Sequence, residues 1–269
     1  MVDSILHPVF QDLPWVIHST KELIMKLDQL NIKKNNNTWL FTGDVKAFYS
    51  NIPHEMACDN IYKITRNNKN IFGYCNPKDL LDFINLIMDN NYFFFNDQYY
   101  KQIKGLAMGT PCAPTIANLF LAMEEITKGM KSPYMFQKRP YGKLICYFKY
   151  IDDIFSVFEG TKVQLNWMLK EYLQFPPLEI EYNYSKDSVV FLDTEIFFDN
   201  TPGNKDLNLH TKLFQKPMNK YLYIPWSSAH PEHVKKAFVK AKMTRYCTIS
   251  SRNEDFQDCC ANFFKNLRK

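Results

Sequence analysis

Apolar positions between residues 13 and 30 recur at helical spacing (Trp15, Ile17, Leu23, Ile24, Leu27, Leu30) and predict a helix, closed by the polar loop Asn31 to Asn37. Trp39 to Val45 then reads as a buried strand that closes at Asp44. Helical patterns follow over His54 to Ile64 and Pro77 to Asn90, with the polar loop Arg66 to Asn70 between them and Pro77 suited to a first helical turn. Tyr92 to Phe95 and Tyr99 to Ile103 predict a hairpin that turns at Asn96-Asp97. A loop punctuated by glycine and proline, Gly105 to Pro114, leads into an apolar helix from about Thr115 to Thr127. Two strand runs, Lys143 to Lys149 and Ile154 to Phe158, bracket Tyr150-Ile151-Asp152-Asp153. A helix over Val163 to Leu173 comes next, then strands over Leu178 to Tyr184 and Val189 to Phe198, and a loop through Pro202-Gly203-Asn204 to Leu207–Phe214. Two helices close the chain, about Glu232 to Arg245 and Asp255 to Leu267. Helices interspersed with antiparallel hairpins predict an α+β fold rather than a doubly wound parallel sheet.

The 269 residues suffice for one large domain or two small ones, and most of the 22 Phe and 16 Tyr must be core, although a nucleic-acid channel would also use some for base stacking. The net charge of +5 is unevenly placed. Nine Lys/Arg and four Asp/Glu fall between Pro231 and Lys269, which leaves residues 1–230 balanced. A basic end suits a polyanion, and a solvated helical face explains it equally well. The seven Cys are odd in number, with no C-x-x-C pair, which points to reduced thiols in an intracellular protein, the nucleus being one candidate compartment. His230 and His233 have no Cys pair to complete a zinc site. No apolar run approaches the ~20 residues of a membrane span, and the first residues lack the pattern of a signal peptide.

The candidate chemistry centres on Asp152-Asp153. Adjacent carboxylates at a tight turn between paired strands are a rigid way to present oxygen ligands to Mg²⁺. Asp44, at the end of its own strand, supplies a third carboxylate if the two strands are neighbours; alone it reads as a turn residue. Two Mg²⁺ ions ~3.5–4 Å apart would then clamp the attacking and leaving oxygens of a phosphoryl transfer. Gly105 and Gly109 mark a loop that a nucleotide or template base could approach closely, and no Gly-Lys-Ser/Thr makes it a P-loop.

These segments resemble motifs A, B and C of reverse transcriptases, in the family's order: Asp44 with Tyr49, the Gly105–Pro114 loop with the helix behind it, and Tyr150-Ile151-Asp152-Asp153. The finer text is similar to that of Penelope-like retroelements, relatives of telomerase: Asp44 through His54, Gly105 through Pro111, Phe191-Leu192-Asp193-Thr194, Leu213-Phe214-Gln215-Lys216-Pro217 and Ser228-Ala229-His230-Pro231. The resemblance implies a right-hand polymerase palm with partial fingers over residues 1–217, and a basic, truncated thumb-like segment over 218–269. It implies that Asp44 and Asp152 bind two Mg²⁺ ions, for which Mn²⁺ can substitute, with Asp153 in support and the Val45 carbonyl completing one shell. Tyr49 falls at the family's steric gate against a ribose 2′-OH. Gln102, Gly105 and Gly109 would line the nucleotide and template side, and Lys186 would protonate departing pyrophosphate. The strands Val189–Phe198 and Leu207–Phe214 are similar to the primer grip. Lys235, Lys236, Lys240, Lys242 and Arg245 would grip the duplex backbone. The implied partners are an RNA template, a DNA primer and dNTPs, with no membrane. Motif A begins only some forty residues in, without the family's upstream fingers. The expectation is therefore a fragment or a derived short gene, with an inactive or co-opted nucleic-acid-binding fragment as the alternative.

Overall fold

The computed structural model describes residues 1–11, 13–67, 75–130, 132, 134–137, 141–200, 207–219, 221 and 223–267. The expected turn at Pro202-Gly203-Asn204 and the end of the Arg66–Asn70 loop lie outside the described residues. In chain order, helices α1 (Val2–Gln11) and α2 (Thr20–Leu30) precede strand β1 (Thr38–Val45), the one-turn helix α3 (Phe48–Asn51), α4 (His54–Asn67) and α5 (Pro77–Asp89). Strands β2 (Tyr92–Phe95) and β3 (Gln98–Lys101) form a hairpin ahead of α6 (Ala113–Thr127). Strands β4 (Tyr134–Gln137), β5 (Lys143–Tyr150) and β6 (Asp153–Glu159) follow, then α7 (Lys162–Trp167), which widens into a π turn over Met168–Tyr172. Strands β7 (Ile180–Ser185), β8 (Ser188–Phe191), β9 (Thr194–Phe198) and β10 (Leu209–Leu213) lead to α8 (Glu232–Ile249) and α9 (Asn253–Leu267).

The chain divides into two compact units, residues 1–16 with 43–182 and residues 17–42 with 183–269. This division does not follow the boundary at 217/218 expected from sequence. It passes through β1 and β7, which belong to a five-stranded sheet of order β4-β5-β6-β1-β7.

In the first unit β5 and β6 pair antiparallel from Lys143↔Glu159 to Tyr150↔Asp153. Ile154 to Phe158 are buried without a break, so β6 carries core on both faces. Helix α6 buries ten of its fifteen residues, as a helix apolar on all sides must, and packs on α1, α3 and α4.

In the second unit β10, β9 and β8 form an antiparallel sheet, and α8 and α9 pack on β10. The turn between those helices is tied to the sheet. Ser251 Oγ accepts from Thr211 N–H at 2.9 Å, Thr211 Oγ1 donates to the Ile249 carbonyl at 2.7 Å, and Arg252 reaches Asp199 and Asp255 at 2.8 and 2.6 Å. Tyr246 of α8 and Phe263 of α9 are buried against each other, with ring centres 6.0 Å apart.

Two expectations need correction, and two elements are new. The helix expected over 13–30 begins only at Thr20, capped by Ser19 Oγ; Val16 instead bridges to Lys149 as a strand residue, so Trp15, Val16 and Ile17 are buried without being helical. Val189–Phe198 is two strands, broken at Leu192-Asp193, where Leu192 takes φ 55°. Helix α1, with Pro8 inside it, and strand β4 were not expected.

Candidate active site at the acidic turn

Asp44 stands exposed near the end of β1, between buried Gly43 and buried Val45. Gly43 has a packing reason: a Cβ there would lie 2.6 Å from the Tyr182 ring, which crosses the strand at that point and donates its hydroxyl to the Leu173 carbonyl at 2.5 Å. The Val45 N–H donates to the Asp152 carbonyl at 3.2 Å, which ties the end of β1 to the β5–β6 turn. The turn itself is two residues, Ile151 and Asp152, between the paired Tyr150 and Asp153. Ile151 takes φ 56°, an uncommon conformation for a β-branched residue that costs of order 1–3 kcal/mol and is kept where the surroundings impose it. Asp152 and Asp153 are half-buried. The Asp152 carboxyl is held above the ordinary carboxylate range by burial and then by the charge of Asp44, while a backbone hydrogen bond pulls the other way. The Val45–Asp152 hydrogen bond thus brings the end of the strand that carries Asp44 to the turn that carries Asp152.

Tyr49 belongs to the same corner. Ala47, at φ 46°, turns the chain into α3, which buries Phe48 and leaves Tyr49 half-buried. Burial, and after it the charge of Asp152, raises the Tyr49 hydroxyl above its usual value, so ring and carboxylate share one electrostatic environment.

Gly105 does make a close approach, but its neighbour is the chain itself. It takes φ 79°, and a Cβ there would sit 2.6 Å from Ser50 Cα and 2.7 Å from the Tyr49 carbonyl oxygen. The Leu106 N–H donates to that same carbonyl at 2.8 Å, and His54 Nε2 lies 2.6 Å from the Gly105 carbonyl oxygen. Gly105 thus fastens the turn that carries Tyr49. Gly109, at φ 96°, has open space where a Cβ would go. Gln102 uses its side chain on the Lys104 carbonyl at 2.9 Å.

The remaining candidates lie in the second unit. Lys186 donates to the Asn36 carbonyl at 2.8 Å and sits 4.6 Å from the Trp39 ring centre. Arg245 pairs with Asp193, which also accepts from Thr20 Oγ1 at 2.6 Å. Lys235 donates to the Trp226 and Ser228 carbonyls, Lys236 pairs with Glu232 at 2.7 Å, and Lys242 lies 5.7 Å from the Phe238 ring centre. Several of the cations expected to grip phosphate thus have partners within the chain. Lys242 and Arg245 share a cavity of about 420 Å³ with Asp193 and Lys216.

One cluster was not foreseen. Glu125 of α6 is fully buried with Lys149 of β5, at 3.0 Å. Trp15 Nε1 and the Tyr147 hydroxyl donate to the same carboxylate at 2.5 and 2.8 Å. Burial lowers the Lys149 ammonium, opposed by Glu125. Glu125 sits near the end of a helix read from sequence only as apolar, and the fold buries its carboxylate.

The antiparallel sheet backed by helices that carries this corner has the architecture of a polymerase palm. Solved polymerases share the fold. Telomerase from Candida albicans, in complex with a fragment of telomeric RNA, is similar at a TM-score of 0.62, with 11% identity over 99% of this chain and 45% of that one. Apo telomerase from Candida tropicalis gives 0.56, with 11% identity over 99% and 50%. The RNA-dependent RNA polymerase of BmCPV gives 0.51, with 11% identity over 73% and 20%. The chain spans half or less of each. The profile of the reverse transcriptase (RNA-dependent DNA polymerase) family matches residues 2–178, most of the chain, and the chain belongs to that family. Residues 222–269, which hold α8 and α9, match the animal helix-turn-helix domain. Comparison with curated proteins finds no match.

Proposed function

We infer that this chain is an RNA-directed DNA polymerase of a retroelement, of the Penelope-like kind, and that its chemistry is nucleotidyl transfer assisted by two divalent ions. The observation that carries the reading is the acidic corner: Asp44 and Asp152 oppose each other electrostatically at a turn held in strained backbone. Burial and the charge of Asp44 both disfavour the ionised form of Asp152; a cation relieves that, and carboxylate oxygens suit Mg²⁺ or Mn²⁺. Asp44 and Asp152, with the Val45 carbonyl and Asp153, would hold the metal. When bound it supplies charge neutralisation to the attacking and leaving oxygens.

The chain's own residues position the reactants. The Val45–Asp152 tie joins the backbone of the two segments that carry the carboxylates, and Gly105 with His54 fixes the turn of Tyr49, whose ring would stand against a ribose 2′-OH and favour deoxynucleotides. Little covalent work falls to the protein in phosphoryl transfer, so positioning and charge carry the catalysis. The partners in this reading are an RNA template, a DNA primer and dNTPs, in an intracellular compartment.

A second reading, a fragment that binds nucleic acid without turnover, is favoured by one observation. Among the described residues no group of three or more His, Cys, Asp or Glu side chains is placed to hold an ion. Primer extension on a primed RNA template, with dNTPs and Mg²⁺ or Mn²⁺, decides between them. The polymerase reading expects extension that Asp152→Ala abolishes; salt-sensitive binding with no extension in either metal supports the second reading.

A further inference from the structure

The β2–β3 hairpin, Tyr92 to Lys101, carries six aromatic side chains in ten residues, and none is buried. Tyr92, Phe93, Phe94, Phe95, Tyr99 and Tyr100 are between 41% and 81% exposed. They occupy both faces of a two-stranded sheet. In the cross-strand register Phe94 pairs with Tyr99 and Phe93 with Tyr100, at ring separations of 5.0 and 5.5 Å. An antiparallel sheet in water ordinarily keeps one polar face, and rings displayed in this density mark a binding surface.

The occupant can be argued from what surrounds the rings. Between Asn91 and Gly109 the charged residues are Lys101, Lys104 and Asp97; Lys101 lies 3.9 Å from Asp89 at the end of α5, which leaves Lys104 as the cation beside the rings without an acidic partner among the ion pairs described. Polar groups interleave with the rings: three tyrosine hydroxyls, Asn96, Gln98 and Gln102. A polypeptide laid on one face would leave the rings of the other in water, whereas bases can stack on either face and leave those polar groups hydrated. Position points the same way. The Gln102 N–H donates to the Asn91 carbonyl at 2.8 Å and closes the hairpin base, and Lys104 Nζ lies 3.4 Å from Asn51 Oδ1, on the turn of Tyr49. Exposed Ile103 and Met108 continue the apolar track toward Gly109. The hairpin and the acidic corner belong to one compact unit.

We propose that the β2–β3 hairpin is a stacking platform for single-stranded RNA, taking the unpaired bases of the template ahead of the acidic corner. The proposal rests on the polymerase reading above for the identity of the strand. Aromatic platforms bind bases whatever their sequence, because every base has a π-face, while lysines beside them take the phosphates.

The test is anisotropy of fluorescein-labelled U12 RNA with the whole chain. Phe94→Ser with Tyr99→Ser removes one ring pair at exposed positions, and an unchanged circular dichroism melt confirms the fold. Affinity for U12 is expected to fall roughly tenfold or more with the salt slope unchanged, since stacking releases no counterions. Lys101→Ala with Lys104→Ala is expected to flatten the salt slope instead. Asp152→Ala is expected to lose primer extension and keep U12 affinity, so a chain that never extends primers yet binds U12 through its rings sinks the polymerase reading and leaves the platform standing. Unchanged U12 affinity in the double-serine variant overturns the platform. So does at least tenfold tighter binding of dT12 than of U12, or sedimentation showing a self-association that the variant abolishes while U12 affinity stays the same.

Discussion

Glu125 and Asp152 lie in the same compact unit, and each is withdrawn from water in different company. Glu125 is fully buried and receives three donors, Trp15, Tyr147 and Lys149, so its charge is neutralised and its oxygens are hydrogen-bonded. Asp152 is only half-buried, and the nearby charge that most affects it is the like charge of Asp44. The first arrangement is complete as it stands. The second becomes favourable when something positive arrives, which is the difference between a carboxylate that holds a fold together and one that does chemistry.

The sharpest way to break this contrast is Glu125→Ala. It strands the Lys149 ammonium in the core, and breaking a buried pair from one side costs about 3–5 kcal/mol. Urea denaturation followed by circular dichroism should show a loss of that size, or no folded protein at all. Glu125→Leu with Lys149→Met, which replaces both charges by apolar volume, should recover most of the loss. If the double variant is as unstable as the single one, the cluster matters for packing and not for charge.

The contrast also shows what a reader of the sequence can see. The strands that carry Asp44, Asp152 and Asp153 were legible because their apolar runs and the turn between them are local facts, and β1, β5 and β6 formed where those runs stand. Glu125 was not, because an acidic residue near a helix end looks solvated until the sheet that covers it is known. Trp15 to Ile17 misled for a related reason. Their spacing fits a helix, yet the bridge of Val16 to Lys149 buries them as extended chain, so a tertiary contact overrode the period. At Val189–Phe198 nothing in the apolar run announces the reversal at Leu192. Gly105 was read correctly as a point of close approach, and the neighbour is the Tyr49–Ser50 backbone. Pattern identifies a glycine that cannot be replaced; it does not say what fills the space.

Gly105 and Gly109 extend the comparison within one loop. Gly105→Ala adds a Cβ 2.6 Å from Ser50 Cα, against backbone that cannot swing aside, on top of the cost of a positive φ. A loss of about 2–4 kcal/mol is expected in urea denaturation. Gly109→Ala meets open space and should cost only the conformational part, about 1–2 kcal/mol. Equal losses would mean that the contact of Gly105 with the Tyr49 turn contributes nothing.

The smallest expected effect on stability bears most directly on the acidic corner. Because the Asp152 pKa is raised in the folded state, the folded protein keeps its proton to higher pH than the unfolded chain. Stability therefore falls as pH rises from the ordinary carboxylate value, near 3.8, through the raised one, and the loss persists at pH 7. Asp152→Asn lacks that titration. It should match the wild type in acid and be slightly more stable at neutral pH, by about 0.5 kcal/mol or less for a half-buried group still screened by solvent. A bound divalent ion reverses the order, because a ligand that binds only the folded chain stabilises it. Added Mg²⁺ should raise the denaturation midpoint of the wild type and leave that of Asp152→Asn where it was. The same response in both proteins would show that the ion acts elsewhere, and that the repulsion between Asp44 and Asp152 is not what a metal relieves.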